Sequence, residues 1–303
     1  MDRDVRRCGG VTRRDALRTA VASGLLLAVG GGCGSRDART NRVTADPYAA
    51  AAGPSDAFAW PEGKRAAVSL TFDDARPSQA QTGIPLLDRY GVKATFYVSP
   101  GPLQTRRPAW KQALANGHEI GNHSLHHPCT GNFAFARNKA LEDYTLGRME
   151  RELREANRVI ESALGVRPTT FAYPCGQKFV GRGRRLKSYV PLVARMFEAG
   201  RGWMDEAAND PAFCDPAQLL GMELDGLDFD AARKLIDSAV ANGSWLVFAG
   251  HEIAAAGRQT TRIDTLEAIC RHACDPDNGI WIDTVQTIVR YVQTSRQAAS
   301  RHL

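Results

Sequence analysis

Two adjacent carboxylates, Asp73 and Asp74, stand in "SLTFDDARPS", where an apolar run gives way to a loop. Like charges side by side repel, and a single Asp is enough to cap a following helix, so the doublet asks for a nearby cation or a chemical role. Further on, "GNHSLHHP" sets His123 and His127 four apart, a spacing that a helical turn would place on one face. The segment "VFAGHEI" then ends a very apolar run on His251. Two imidazoles and one carboxylate make a tetrahedral donor set with one position left open on an ion such as Zn2+. Such an ion polarises a carbonyl and lowers the pKa of a water. A second carboxylate can then take a proton and a His across the site can return one. The chemistry in view is hydrolysis of an amide or ester, and the ion would offset the repulsion within the doublet.

The elements that must position these residues alternate in type. Short runs rich in Val, Ile, Phe and Tyr predict strands at 67–72, 94–99, 119–122, 170–173, 219–224, 245–250 and 280–283. Between them, helices are predicted at 79–90, 108–116, 141–164, 190–199, 229–242 and 261–272, with a closing helix from 284 to about 294. Strand and helix in alternation imply parallel strands, here about seven, and the fold expected is α/β, a barrel-like or open sheet. In such barrels the loops after the strand ends hold the site. The doublet follows the first strand, the paired histidines the third, "FAYPCG" the fourth, "LDGLD" the fifth and His251 the sixth, so one rim gathers them.

In this order and spacing, "TFDDA", "HSLHH", "FAYPCG" and "VFAGH" resemble the successive motifs of the polysaccharide deacetylase family. The resemblance runs from about Arg65 to Tyr291 and includes the closing "IWIDTVQTIVRYV". It implies a deformed (β/α) barrel of about seven parallel strands and a metal-dependent carbohydrate esterase that removes N-acetyl or O-acetyl groups from a glycan, with one divalent ion, Zn2+ first and Co2+ or Ni2+ as alternatives. By that resemblance Asp73 is the general base, while Asp74, His123 and His127 hold the metal and His251 is the general acid. The oxyanion would meet the metal and the backbone N–H of Cys175, with Tyr173 and Pro174 in the same turn. Asp225 would orient His251, with Asp228 as second choice because it also suits the N-cap of the helix from Phe229. Two positions depart from the family pattern. Ala172 stands where many members carry an Arg that steadies the base, so either another cation, such as Arg76 or Lys178, replaces it or the base is held differently. Ala75 stands where Gly is common, which implies an ordinary backbone angle there. Two further readings stay open: a hydrolase of another small amide or ester, and a glycan-binding relative without turnover, which the presence of Asp73 and His251 disfavours.

The remaining features concern location and partners. Residues 1–33 carry paired arginines at Arg13 and Arg14, then a short apolar stretch and Cys33, the pattern of an export signal of twin-arginine type with a lipoprotein-like end. A polar, Ala-rich tether to residue 58 and a catalytic domain over 59–303 would follow. The chain is then expected to be exported to the bacterial periplasm or cell envelope, with Cys33 a candidate lipid anchor. Half of the formal charge of +6 lies in that leader, and no basic helix with interleaved aromatics is present, so nucleic acid is excluded as a partner. In an oxidising compartment Cys129 and Cys175, both close to the rim, are expected to form a disulfide. Cys270 and Cys274 are four apart on a helix, where they bridge poorly, and are expected to pack in the core or to pair with Cys214. His126 and His118 read as secondary and structural histidines, and Trp110 and Trp203 as possible sugar platforms. The basic loop "GQKFVGRGRRLKSY" is a lip suited to an acidic glycan.

Overall fold

In the computed structural model, which describes Cys8 and residues 58–301, each predicted strand and helix has a counterpart. The export signal, Cys33 and the tether lie outside the described residues, apart from Cys8 and Phe58. Along the chain come β1 (Ala66–Asp73), α1 (Ile84–Tyr90), β2 (Thr95–Val98), α2 (Pro100–Gln104), α3 (Arg107–Ala115), β3 (Glu119–Asn122), α4 (Leu146–Leu164) and β4 (Thr170–Ala172). A small antiparallel hairpin follows, β5 (Phe179–Val180) with β6 (Lys187–Ser188), then α5 (Val190–Met196), β7 (Ala199–Arg201), β8 (Met222–Glu223), α6 (Phe229–Asn242) and β9 (Trp245–Gly250). The chain ends with β10 (Glu252–Ala254), β11 (Thr260–Arg262), α7 (Ile263–Ala273), β12 (Ile280–Ile282) and α8 (Val285–Ser300).

The main sheet is parallel, in the order β7-β4-β3-β2-β1-β9-β8, with β12 paired to the start of β1. It curls strongly. Leu219 bridges to Arg201 of β7 while Met222 and Glu223 pair with β9, so one short segment ties the far edges of the sheet towards each other. This is the expected α/β barrel-like architecture.

Period-two alternation along β1 decides which side chains enter the concave face. Val68, Leu70 and Phe72 pack outward against a core shared with α1, α6 and α7, whereas Ala67 packs inward with Trp245, Trp281 and the apolar stripe of α8. Asp73 is in phase with Ala67, Ser69 and Thr71, and so enters the interior at the strand's C-terminal end. The helices have local causes. In α4, Thr145 accepts from the Arg148 N–H and Gly165 closes the helix in the left-handed conformation (φ 77°). Its buried stripe of Met149, Leu153, Ala156 and Ile160 repeats at three and four.

Two expectations need correction. The helix predicted over 190–199 stops at Met196, and Ala199–Arg201 is a strand. Phe197 is extended and Glu198 donates its N–H to Thr169 O, so pairing to the sheet outcompetes local helical propensity. The strand predicted over 219–224 shrinks to Met222–Glu223 because its residues are shared between two neighbours.

Candidate active site

The doublet leaves β1 through a strained turn. Asp74 and Ala75 both take positive φ, 75° and 53°. The ordinary angle expected at Ala75 is therefore wrong, and the left-handed conformation costs roughly 1–2 kcal/mol per non-Gly residue. The turn splits the two carboxylates. Asp73, 3% exposed, enters the barrel, while Asp74 turns to the rim.

The two histidines meet Asp74 by a route the sequence reading did not foresee. No helical turn joins them: Ser124 and His127 have φ of 64° and 51°, and the loop reverses sharply. Asn122 Oδ1 accepts from the Ser124 N–H (2.6 Å) and Ser124 Oγ accepts from the His127 N–H (3.0 Å). The Nε2 atoms of His123 and His127 each lie 3.6 Å from Asp74 Oδ1. Donors that share one tetrahedral ion with bonds of ~2.0–2.1 Å sit roughly 3.3–3.4 Å apart, so the three residues fit a single divalent ion. His123 Nδ1 donates to Ala172 O at 2.9 Å, which leaves Nε2 free to ligate. Burial, reinforced by His123, pushes the His127 imidazole down to about 4, the neutral form a metal requires. Burial works against the Asp74 charge, yet His123, His127 and Arg76 hold its carboxyl down at about 2.

Asp73 is braced by a residue the sequence reading missed. Arg201, fully buried, donates from a guanidinium nitrogen to Asp73 Oδ1. Neither Arg76 nor Lys178 fills this place. Arg76 bonds Asp74 Oδ2 (2.9 Å) and Glu252 (3.4 Å), and the Lys178 ammonium sits 5.8 Å over the Tyr173 ring. Ala172 and Arg201 are register partners on β4 and β7, so the cation reaches Asp73 from the strand next to the one that carries Ala172. Burial would raise the Asp73 carboxyl, but Arg201, His123 and His251 outweigh it and leave it below the usual range. The only available signal was Arg201 closing "FEAGR", hidden by the helical reading of that stretch.

His251 stands opposite. Its Nδ1 lies 2.7 Å from Asp225 Oδ2, its backbone N–H donates to Asp225 Oδ1 (3.1 Å), and Thr261 Oγ1 donates to the same oxygen (2.8 Å). Burial opposes the imidazolium, but the Asp225 bond and the Asp73 and Asp74 charges prevail, and its pKa is raised. Asp228 takes its other role, capping α6 through the Ala231 N–H. The Gln79 side-chain amide ties the halves together by donating to Asp73 O and His251 O.

The rim is closed by the Cys129–Cys175 disulfide, with His127 Nδ1 3.6 Å from Cys129 Sγ. Cys175 is left-handed (φ 54°) directly after Pro174. Tyr173 does not face the site with its side chain: the ring is buried and its hydroxyl donates to Ala217 O at 2.6 Å. His126 is held by Glu152 (3.0 Å) and His118 by Asp88 (3.1 Å), away from the donor set. Of the two tryptophans, Trp110 is core, while Trp203 meets the His251 ring edge-on at 5.3 Å. Phe133 and Phe135 form an exposed stacked pair, with Phe135 6.3 Å from the His127 ring. Cys274 pairs with neither Cys270 nor Cys214. Lying at the end of α7, it bonds Cys8, whose N–H donates to Tyr90 O.

Comparison with known proteins points to one family. The polysaccharide deacetylase family profile matches residues 61–200, from before β1 into β7. The chain is 29% identical over 110 residues to the peptidoglycan-N-acetylglucosamine deacetylase PgdA of Listeria monocytogenes, covering 36% of this chain and 21% of that protein. It is 32% identical over 136 residues to a chitooligosaccharide deacetylase of Rhizobium leguminosarum bv. trifolii, covering 44% and 53%. Several curated relatives are matched over about a quarter of their own length or less. A Mycobacterium smegmatis structure assigned to the polysaccharide deacetylases superposes with a TM-score of 0.57 at 18% identity, over 80% of this chain and 96% of that one. With the ordered motifs converging on one rim of a curled parallel sheet, the chain belongs to the polysaccharide deacetylase family.

Proposed function

We propose that this protein is a metal-dependent deacetylase that removes acetyl groups, N-acetyl rather than O-acetyl, from a cell-envelope or extracellular glycan. The observation that carries the reading is the division of labour within the doublet: Asp74 faces two imidazoles while Asp73 is held as an anion by Arg201. Asp74, His123 and His127 would hold the ion, Zn2+ by donor type, with Co2+ and Ni2+ as substitutes. When bound, the ion supplies Lewis-acid chemistry, polarising the acyl carbonyl and acidifying a water.

The chain's own residues do the rest. Asp73, ionised and immobile, accepts a proton from the attacking water. His251 keeps Nδ1 committed to Asp225, so Nε2 is the atom that gives a proton to the leaving amine. The raised pKa of His251 favours its charged, donating form. The Cys175 N–H, beside Pro174, would stabilise the developing oxyanion. Relatives that act on peptidoglycan and chitooligosaccharides support the substrate class. The Cys129–Cys175 bond supports an oxidising compartment, as does the export signal read in residues 1–33, with the tether to 58 and the catalytic domain from 59 following it.

The experiment is acetate release by the metal-loaded protein from chitooligosaccharides, peptidoglycan and acetylated xylan, beside Asp73→Asn. Metal-dependent release from the N-acetylated substrates that vanishes in the variant supports the reading. Release from acetylated xylan alone would move the reading to ester hydrolysis. No release from any glycan, with the metal bound, would overturn it.

A further inference from the structure

We propose that the hairpin β5–β6 and the wall facing it form a binding cleft for a carboxylate-bearing stretch of glycan, next to the reacting centre and separate from it. The inference rests on the glycan reading above and names the class of glycan.

The cleft has a volume of about 680 Å³ and is lined by Arg182, Arg184, Arg185 and Lys187 on the hairpin side and by Glu142 to Gly147 on the other. Its acidic members are already engaged. Asp143 pairs with Arg182, and the Glu142 carboxylate accepts from the Thr130 hydroxyl and the Gly131 N–H (3.0 Å). Arg184, Arg185 and Lys187 are exposed, and among the described residues none has a carboxylate within 4 Å. Three cations within four residues, with no internal partner, hold a local positive potential over a concave surface.

The cleft is continuous with the catalytic turn. A second cavity, about 360 Å³, shares Glu142 and Gly181 with the first and reaches Gly176 and Gln177, which directly follow Cys175. The walls are fixed. Gly181 N donates to Leu141 O (2.9 Å), Thr130 N to Gln177 Oε1 (2.7 Å), and the Tyr189 hydroxyl to Gln177 O (2.6 Å). A chain lying along both cavities would place one sugar at the turn while its neighbours meet the guanidinium groups. Because Asp143 and Glu142 line the same cleft, singly charged groups spaced along a sugar chain suit it better than a dense polyanion. Planar guanidinium forks also match carboxylates in two-point geometry.

The test is binding, read independently of turnover. The full-length protein is titrated calorimetrically with an oligogalacturonate, a neutral chitooligosaccharide of equal length and a glycerol-phosphate oligomer, at low and high salt. The expected result is at least about tenfold tighter binding of the uronate than of the neutral chain. The preference should be lost at high salt and in the Arg184→Ala/Arg185→Ala/Lys187→Ala variant, with acetate release from neutral chitooligosaccharide unchanged. Should that variant unfold, the single reversal Arg185→Glu must weaken uronate binding by several fold. Equal binding of uronate and neutral chains, an undiminished preference in the variants, or tighter binding of the phosphate oligomer would each overturn the proposal. Absence of acetate release from every substrate would count against the deacetylase reading and leave this binding result standing.

Discussion

Ala172 and Arg201 are partners in the parallel register of β4 and β7, and the guanidinium of Arg201 bonds Asp73 inside the barrel. Cα partners on parallel strands send their side chains to the same face of a sheet. A cation carried at either position can therefore reach the same carboxylate, and the Arg missing from the third motif has a counterpart one strand away. Breaking this buried pair leaves an uncompensated charge. Arg201→Ala is expected to destabilise the fold by about 3–5 kcal/mol and to shift the acidic limb of the rate profile to higher pH, because Asp73 loses the main group that lowers its pKa. The double variant Ala172→Arg/Arg201→Ala is expected to recover part of both losses. Thermal unfolding and pH-rate profiles of the three proteins test this, and a double variant no better than Arg201→Ala would refute the equivalence of the two strands.

On the proposed mechanism the opposite limb belongs to His251. Its folded-state pKa lies above the ordinary value near 6.5, so the charged, donating form persists to higher pH than in a free imidazole. Activity that depends on this proton is expected to be present below that folded pKa and to fall as pH rises through it. The stability contributed by the His251–Asp225 pair follows the same sign: complete below the unfolded value near 6.5 and lost above the folded one. Asp225→Asn removes the hydrogen-bonded carboxylate that raises the pKa, so the basic limb of kcat is expected to move to lower pH. An unmoved limb in this variant would show that His251 is not the proton donor.

How much of this was legible in the sequence varies with the physics of each element. Trp245–Gly250, Glu119–Asn122 and Phe229–Asn242 were readable to the residue, because an apolar run between polar loops, or a helix between Asp228 and Gly243, is a local signal. The gathering of Asp73, Asp74, His123, His127 and His251 was readable from topology alone, since all follow strand ends. The route by which His123 and His127 converge was not, because it depends on positive φ at Ser124 and His127 held by Asn122, itself bonded to Asn157 of α4. Arg201 was hidden for a related reason: "VPLVARMFEAGR" has helical spacing up to the point where sheet pairing takes over. The pairing of Cys274 with Cys8 joins residues 266 positions apart and leaves no local trace.

The donor set makes its own demand. Arg76 occupies Asp74 Oδ2, which leaves Oδ1 facing the imidazoles. Loss of an outer hydrogen-bond partner of a ligand typically weakens metal affinity by about 10–100-fold. Arg76→Ala is therefore expected to fall in that range, and Asp74→Asn and His123→Ala to weaken binding beyond about a hundredfold. Competition of Co2+ against a chromogenic chelator measures all three, and removal of the ion by a strong chelator is expected to abolish acetate release reversibly. Equal affinities in Asp74→Asn and the parent protein would exclude Asp74 as a ligand.

The cysteines report on processing as well as on the fold. The Cys129–Cys175 bond closes a span of 46 residues that contains α4, and its first cysteine stands two residues after His127. Constraint of a loop of that length is worth roughly 4 kcal/mol in the chain-entropy description, so Cys129→Ser/Cys175→Ser is expected to melt markedly lower and to lose activity as the two rim loops separate. Cys214 and Cys270 carry free thiols. If the export signal is removed ahead of Cys33, Cys8 leaves with it and Cys274 joins them as a third unpaired thiol, although the precursor bonds Cys8 to Cys274. Alkylation of the unfolded, unreduced protein followed by peptide mapping is expected to label Cys214, Cys270 and Cys274 in material recovered from the cell envelope, and to spare Cys129 and Cys175. An unlabelled Cys274 still linked to Cys8 in that material would mean that the leader is retained, and the proposed removal ahead of Cys33 would be wrong.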